Sequence, residues 1–260
     1  MIWRFDNSNT YLLGSIHILK DGGNCYEKQI DNIYSQSNHI VFEANLDKIP
    51  LSLLRYSDGN KLSDNIPQNL FKKTKKKWSK FGLPETDLEQ TKPWQVANIL
   101  TMKLLERKGF SFDNGIDKQL FTRAKADNKS IDTLEPESFS LQCFDNAPLE
   151  EQLKYLSSVI DNPDACIYKT TQLLKAWSKP DIDVLTGILQ ENLKTFPVLF
   201  QCLVINRNKA WINTILTSIK TNNPTLIAVG ALHCVDMCSI QCLIQDIHGY
   251  NASLITNKAL

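Results

Sequence analysis

Short apolar runs near both ends of the sequence have the pattern of β-strands. Residues 1–5 and 10–13 are two such runs, separated by Asp6-Asn7-Ser8-Asn9, whose composition is typical of a hairpin loop. The compact run at residues 39–42 resembles a buried parallel strand. Helical spacing at residues 25–37, between the second and third runs, predicts a βαβ unit. Further strands are predicted at residues 130–134, 225–229 and 252–256.

The middle of the sequence has helical periodicity, with apolar residues three and four positions apart. The predicted helices cover residues 94–108, 116–126, 149–160, 165–177, 208–219 and 234–247, and Gly249 would cap the last one. We therefore predict a single α/β domain over residues 1–260. It combines a mixed sheet, built from about residues 1–50 and 222–260, with a large helical insertion over about residues 51–221.

The charges of the chain balance, with 29 Lys and Arg against 28 Asp and Glu and a formal net charge of +1. A nucleic-acid-binding protein normally carries a clear basic excess, so nucleic acid is not an expected partner. The five lysines within residues 72–77 are then interpreted as a solvated helix face.

The sequence also gives expectations about membrane insertion and cellular compartment. No stretch reaches the ~18 consecutive apolar residues of a spanning helix, so no integral membrane segment is expected. Arg4 and Asp6 lie where a signal peptide has its apolar segment, which predicts a cytoplasmic protein, or an exported one if a targeting segment lies outside this sequence. Seven cysteines without a CxxC pair predict reduced, mostly buried thiols in a reducing compartment. Cys234, Cys238 and Cys242 predict a thiol-lined face of the last helix.

Two distant segments end in the same pattern, Gly-x-x-His. They are Tyr11-Leu-Leu-Gly-Ser-Ile-His17 and Leu226-Ile-Ala-Val-Gly-Ala-Leu-His233, and for this composition chance gives about 0.15 copies of the pattern. Both follow predicted strands, at the strand ends where α/β sheets bind ligands. The glycine allows close backbone approach, so that the histidine points into a crevice. His17 and His233 would then be two ligands of a metal, or a general base and a histidine that assists it. The alternative is two hydrogen-bonded core histidines.

Glu43 directly follows the apolar run at residues 39–42. If that strand is parallel to residues 10–13, Glu43 emerges at the same sheet edge as His17. Two histidines and one glutamate are a common ligand set for a hydrolytic divalent metal, with one position left for water. We therefore predict a metal site formed by His17, Glu43 and His233. The alternative for Glu43 is an ordinary loop carboxylate.

These motifs, with others in a fixed order, resemble the TraB/PrgY/GumN family, which includes the TIKI proteases. The further motifs are Gly115-Ile-Asp117, Leu134-Glu135-Pro-Glu137, Phe144-Asp-Asn-Ala-Pro148 and Asn206-Arg207-Asn208 with Trp211. The resemblance spans nearly the whole chain and implies a fold related to the erythromycin esterases and the haem-binding ChaN-like proteins. For the TIKI branch it implies a metal-dependent peptidase activity that requires both histidines, with Mn²⁺ or Co²⁺ as the metal. It also matches Asp117, Glu135 and Arg207 to further polar positions of the family.

Those three side chains are candidate catalytic residues. Glu135 or Asp117 would accept a proton from the attacking water. Arg207 would hold a substrate carboxylate or the developing oxyanion. The alternatives are a helix cap for Asp117 and a structural salt bridge for Arg207.

The leading hypothesis is a metal-dependent hydrolase, a peptidase or amidase, acting on a peptide or small-molecule substrate with Mn²⁺, Co²⁺ or Zn²⁺. One alternative is a non-catalytic protein that sequesters a peptide pheromone, haem or a metal. Another is a metal-free esterase with His17 or His233 as its general base.

Overall fold

The computed structural model describes residues 1–20, 28–47, 51–57 and 59–255. The strands in this part of the chain are β1 (Ile2–Phe5), β2 (Thr10–Ser15), β3 (Leu19–Lys20), β4 (His39–Phe42), β5 (Phe110–Ser111), β6 (Ser130–Thr133), β7 (Thr225–Gly230) and β8 (Ala252–Leu254). Six of them form a mixed sheet in the order β6-β4-β7-β2-β1-β8, and β3 pairs with β5. The predicted α/β fold with a sheet from both ends of the sequence is confirmed.

The helices are α1 (Lys28–Gln36), α2 (Leu62–Asn65), α3 (Gln68–Lys80), α4 (Glu85–Gln90), α5 (Pro93–Glu106), α6 (Ile116–Ala126), α7 (Phe139–Asp145), α8 (Leu149–Asp161), α9 (Pro163–Ser178), α10 (Ile182–Thr195), α11 (Pro197–Phe200), α12 (Arg207–Thr221) and α13 (Ile240–His248). A π-helical turn, Gln201–Asn206, leads into α12, and two 3-10 helices cover Leu51–Leu53 and Ala231–Cys234. Residues 25–27 of the first predicted helix and residue 256 of the last predicted strand lie outside the described residues.

The parallel strand β7 lies between β2 and β4 and joins the two ends of the sequence. Thr10 pairs with Thr225 and Ser15 with Gly230, while Phe42 of β4 pairs with Ala228. The predicted βαβ unit therefore has a third strand inserted between its two strands. Because β2, β4 and β7 run in the same direction, the segments after them leave the sheet at one edge.

The helices pack into two separate hydrophobic clusters, one against the sheet and one within the helical insertion. Helices α1, α6, α12 and α13 bury apolar side chains against the sheet, with Leu12 and Ile227 fully buried. The insertion has a cluster of its own, formed by α2 to α5 with α8 and containing Leu100 and Leu156 at 0% exposure. Fully burying side chains of this size stabilises a fold by about 1.5–3 kcal/mol each. Within the described residues, no helix is both long and apolar enough to cross a membrane.

The predicted helix at residues 234–247 is wrong over its first half. Cys234 ends a 3-10 helix, Asp236 has a left-handed backbone conformation with φ of 70°, and α13 begins only at Ile240. A left-handed residue interrupts a right-handed helix, so Cys234, Cys238 and Cys242 do not share one helix face.

The prediction of reduced thiols is wrong for two of the cysteines, whereas Cys166, Cys234, Cys238 and Cys242 are free. Cys143 of α7 and Cys202 of the π-helical turn form a disulfide, although 59 residues separate them. Their spacing gives no sign of this, because packing of the helical insertion brings the two residues together. The inference of a reducing compartment loses its basis, since disulfides persist mainly in oxidising compartments.

Removing this disulfide will destabilise the insertion. The double substitution Cys143→Ala/Cys202→Ala should lower the free energy of unfolding by about 2–5 kcal/mol, since the cross-link restricts the unfolded chain. Urea unfolding measures the change. Cys242→Ala, which removes a free thiol of α13, is the control and should cost less than about 1 kcal/mol. Equal midpoints for the double variant and the wild-type protein would contradict the cross-link.

Candidate active site

The side chains after β2, β4 and β7 meet beside Gly230. A Cβ atom placed on Gly230 would lie 3.1 Å from His17 Nε2, 3.4 Å from Glu43 Oε1 and 3.6 Å from His233 Cδ2. The glycine of the first motif likewise allows the second motif to approach closely, since a Cβ on Gly14 would lie 3.2 Å from the Cα atom of Ala231. Each Gly-x-x-His motif therefore packs against the other, which is the close approach predicted for these glycines.

Arg207 is the buried cation of this site, and the protein already uses all of its N–H groups. Its Nε donates to both carboxylate oxygens of Glu135, at 3.1 and 2.9 Å. Its Nη2 donates to Glu43 Oε2 at 2.6 Å and to Glu135 Oε1 at 2.8 Å. Its Nη1 donates to the carbonyl of Leu203 at 3.0 Å and faces His233 Nε2 at 3.4 Å. A guanidinium has five N–H donors, and each has an acceptor here.

Glu43 and Glu135 share this guanidinium but differ in their other contacts. Glu43 Oε1 also accepts from the backbone N–H of Gly230 at 2.6 Å. Burial opposes the ionised form of Glu43, but Arg207, the two histidines and the N–H of Gly230 together outweigh it and hold the pKa of this carboxyl below its usual range. Glu135 accepts a further hydrogen bond from Trp211 Nε1 at 3.1 Å, and burial raises its pKa. Both oxygens of Glu135 are therefore occupied within the protein.

His17 is paired with Asp117, which lies in the first turn of α6. The backbone N–H of Ile116 donates to the carbonyl of Ile16 at 2.8 Å, which fixes the start of α6 beside His17. Asp117 Oδ2 then lies 2.9 Å from His17 Nδ1. This carboxylate raises the pKa of His17 from 6.5 to about 9, against the opposing effect of desolvation, although half of the His17 side chain is open to solvent. Asp117 Oδ1 is buried without a hydrogen-bond partner among the described residues.

His233 has the opposite environment. It is 5% exposed, its ring packs 4.7 Å from the ring of Trp211, and its Nδ1 lies 2.6 Å from Oδ1 of the neutral Asn208 side chain. Burial lowers the pKa of His233 to about 3, so this imidazole is neutral at physiological pH. Its Nε2 lies 3.6 Å from Glu43 Oε1.

The net negative charge of the site favours binding of a cation, although the described side chains are not arranged around a cation position. Among the described residues, no group of three His, Cys, Asp or Glu side chains is arranged to hold a metal ion. However, Glu43 and Glu135 share one guanidinium and Asp117 pairs with His17, so the three carboxylates leave one unbalanced negative charge when His17 carries its proton and two when it does not. Once His17 has lost its proton, two neutral imidazoles, each with Nδ1 held by a partner, and a carboxylate are the donor set that divalent transition metals prefer. The residues present therefore fit a divalent cation chemically.

All six side chains singled out in the sequence lie at this site: His17, Glu43, Asp117, Glu135, Arg207 and His233. No role is predicted from the sequence for Asn208 or Trp211, although both belong to the motif that contains Arg207. Their spacing was a usable signal, since residues 207, 208 and 211 share one side of a helix. His39 lies apart from the site and pairs with Asp132.

The fold and site define an α/β protein in which carboxylates and a buried arginine lie between two strand-end histidines. A model of the TraB/PrgY/gumN family matches residues 1–251, and the chain belongs to this family. No curated protein and no solved structure matches the chain.

The His17–Asp117 pair predicts a pH-dependent contribution to stability in the metal-free protein. Because the folded-state pKa of His17 is raised, this contribution is complete below pH 6.5 and is lost as the pH rises through about 9. Asp117→Asn should lower the pKa of His17 and remove this dependence. NMR titration of the imidazole and urea unfolding at both ends of the range measure the two effects. Asp132→Asn is the control, and an unchanged His17 pKa in Asp117→Asn would contradict the assignment.

Gly230→Ala should disturb the site with little change in the stability of the fold. The backbone of Gly230 has φ of −57°, which alanine adopts freely, but the added methyl group displaces His17 Nε2. We expect the free energy of unfolding to change by less than about 1 kcal/mol, and the NMR signals of the His17 ring to shift. The control is Gly187→Ala in α10, where nothing lies within 4 Å of the new Cβ. It should leave the His17 signals unchanged; unchanged signals in Gly230→Ala would contradict the described contact.

Proposed function

We propose that the protein is a metal-dependent hydrolase that cleaves amide bonds of a peptide or a small molecule. The observation that carries this proposal is the convergence of His17 Nε2, Glu43 Oε1 and the His233 ring around one point beside Gly230. Membership of the TraB/PrgY/gumN family supports it, since the resemblance to TIKI proteases implies this activity.

His17, Glu43 and His233 are the residues that would hold the ion, with Mn²⁺ or Co²⁺ as the leading candidates and Zn²⁺ as a further one. A divalent ion bound there lowers the pKa of a water molecule in the crevice and polarises the carbonyl to be attacked. The net negative charge of the site, which rises when an ion displaces the proton of His17, supports binding of such an ion.

The remaining residues of the site orient and take up protons. Four of the five N–H groups of Arg207 are held by Glu43, Glu135 and the carbonyl of Leu203, and the fifth faces His233 Nε2 at 3.4 Å. We therefore assign Arg207 to holding Glu43 and Glu135 in place rather than to binding substrate. Of the two carboxylates considered as proton acceptors, Glu135 has both oxygens occupied. Asp117 keeps Oδ1 without a partner among the described residues, and we therefore assign proton uptake to Asp117.

One observation favours a second function, hydrolysis without a metal. A histidine whose Nδ1 is held by a carboxylate, with Nε2 directed at the crevice, is the arrangement of a general acid–base pair, and His17 with Asp117 has it. The raised pKa of His17 would suit it to donate a proton to a leaving group at neutral pH.

Metal titration separates the two functions. Protein without a polyhistidine tag is titrated with Mn²⁺, Co²⁺ and Zn²⁺ by calorimetry, and Co²⁺ binding is followed by its absorption spectrum. We expect one ion per chain, and an affinity at least about 100-fold weaker in His17→Ala, Glu43→Gln and His233→Ala, since the loss of a ligand exceeds that of an outer-shell partner. His39→Ala removes a histidine outside the site and should bind as the wild-type protein does.

The same variants are then incubated with a peptide library, and cleavage is followed by mass spectrometry with and without a chelator. Cleavage that requires metal and all three ligands supports the proposal. Cleavage that survives chelation but is lost in Asp117→Asn would instead support the metal-free hydrolase. Metal binding without cleavage of any peptide or amide would leave a sequestering protein.

A further inference from the structure

Asn208 is fully buried at the beginning of α12, next to Arg207 in sequence, and it contacts His233 with two different atoms. Its Nδ2 donates to the carbonyl of His233 at 3.2 Å and to the carbonyl of Cys238 at 2.8 Å. Its Oδ1 lies 2.6 Å from His233 Nδ1. This one amide thus ties the segment containing His233 to α12.

The two carbonyls fix which way the amide points. Carbonyl oxygens only accept hydrogen bonds, so the NH₂ end of the Asn208 side chain has to face them. The atom facing His233 Nδ1 is then the amide oxygen, which is an acceptor only. A short contact between this oxygen and a ring nitrogen requires that the nitrogen carry the proton.

A neutral imidazole has one N–H, so the proton on Nδ1 leaves the lone pair of His233 on Nε2. Nε2 is the ring nitrogen that faces the site, 3.6 Å from Glu43 Oε1 and 3.4 Å from Arg207 Nη1. At 3.4 Å the contact with Arg207 Nη1 is a weak hydrogen bond, and a ligand on Nε2 would take its place. The Trp211 ring beside the imidazole restricts its rotation.

We propose that Asn208 is a positioning residue that selects the Nδ1–H tautomer of His233 and so presents Nε2 as the ligand atom of the site. The role of Nε2 as a ligand atom rests on the proposed function, whereas the tautomer of His233 follows from the hydrogen bonds alone. The two motif histidines then have partners of different charge: the carboxylate of Asp117 holds His17, and the neutral amide of Asn208 holds His233.

The difference in partners has a chemical consequence. A carboxylate favours the imidazolium form, whereas a neutral amide oxygen orients a ring without favouring its protonation to the same degree. One histidine can therefore carry a proton while the other keeps its lone pair at the same pH.

Long-range ¹H–¹⁵N NMR of the metal-free protein tests the proposal, because the nitrogen shifts of a histidine ring report its tautomer. The His233 signals are assigned by their loss in His233→Gln. We expect His233 as the Nδ1–H tautomer in the wild-type protein. The Nε2–H tautomer, or an average of the two, would overturn the proposal without any variant of Asn208 having to fold.

Substitutions of Asn208 add a second test. Asn208→Leu removes the acceptor at similar size and should shift His233 toward the Nε2–H tautomer and weaken Co²⁺ binding by about 10–100-fold, as for other outer-shell partners. Asn208→Asp keeps an acceptor at Nδ1 but cannot donate to the carbonyls of His233 and Cys238, and its carboxylate should favour the imidazolium form of His233 over the neutral Nδ1–H tautomer. Asn213→Leu, at an exposed position of the same helix, is the control.

The outcomes separate this proposal from the proposed function. An unchanged His233 tautomer in a folded Asn208→Leu variant overturns the positioning role, whatever the protein binds. If the wild-type protein shows the Nδ1–H tautomer and Asn208→Leu loses it, but neither binds Co²⁺, the positioning role stands and metal-dependent hydrolysis fails.

Discussion

A single buried guanidinium holds the site together. Arg207 contributes charge and hydrogen bonds to Glu43, which follows β4, and to Glu135, which lies just beyond β6, and so joins two strand ends to the start of α12. Two buried carboxylates without this cation would repel each other, and an uncompensated buried charge costs about 3–5 kcal/mol. The position of Glu43 beside Gly230 depends on this ion-pair network.

Much of the fold and of the candidate site could be predicted from the sequence, because local patterns encode them. Buried strands such as His39–Phe42 have continuous apolar runs, and the two Gly-x-x-His motifs follow strands of the same direction. Convergence of His17, Glu43 and His233 then follows from the geometry of a parallel sheet. The insertion of β7 between β2 and β4 could not be predicted, since contacts distant in sequence decide strand order.

The other differences have physical causes of the same kind. An arginine that binds a substrate and one that bridges two buried glutamates look alike in sequence; only the acceptors around Arg207 distinguish them. The Cys143–Cys202 disulfide depends on how α7 packs against the π-helical turn, which the cysteine spacing does not report. The helix predicted from residue 234 has the required periodicity, but the left-handed Asp236 interrupts it. The strands β3 and β5, of two residues each, are too short to show an alternating pattern.

The pairing of Thr10 with Thr225 also has a consequence for the order of events during synthesis. The helical insertion lies between the two halves of the site in sequence, and it has its own hydrophobic cluster, which contacts closer in sequence can form first. β2 has to wait for β7 to leave the ribosome before the two can pair, because chains emerge from the N-terminus at about 5–20 residues per second. A nascent chain that ends before β7 has one motif histidine and lacks the partner of β2, so it cannot form the site.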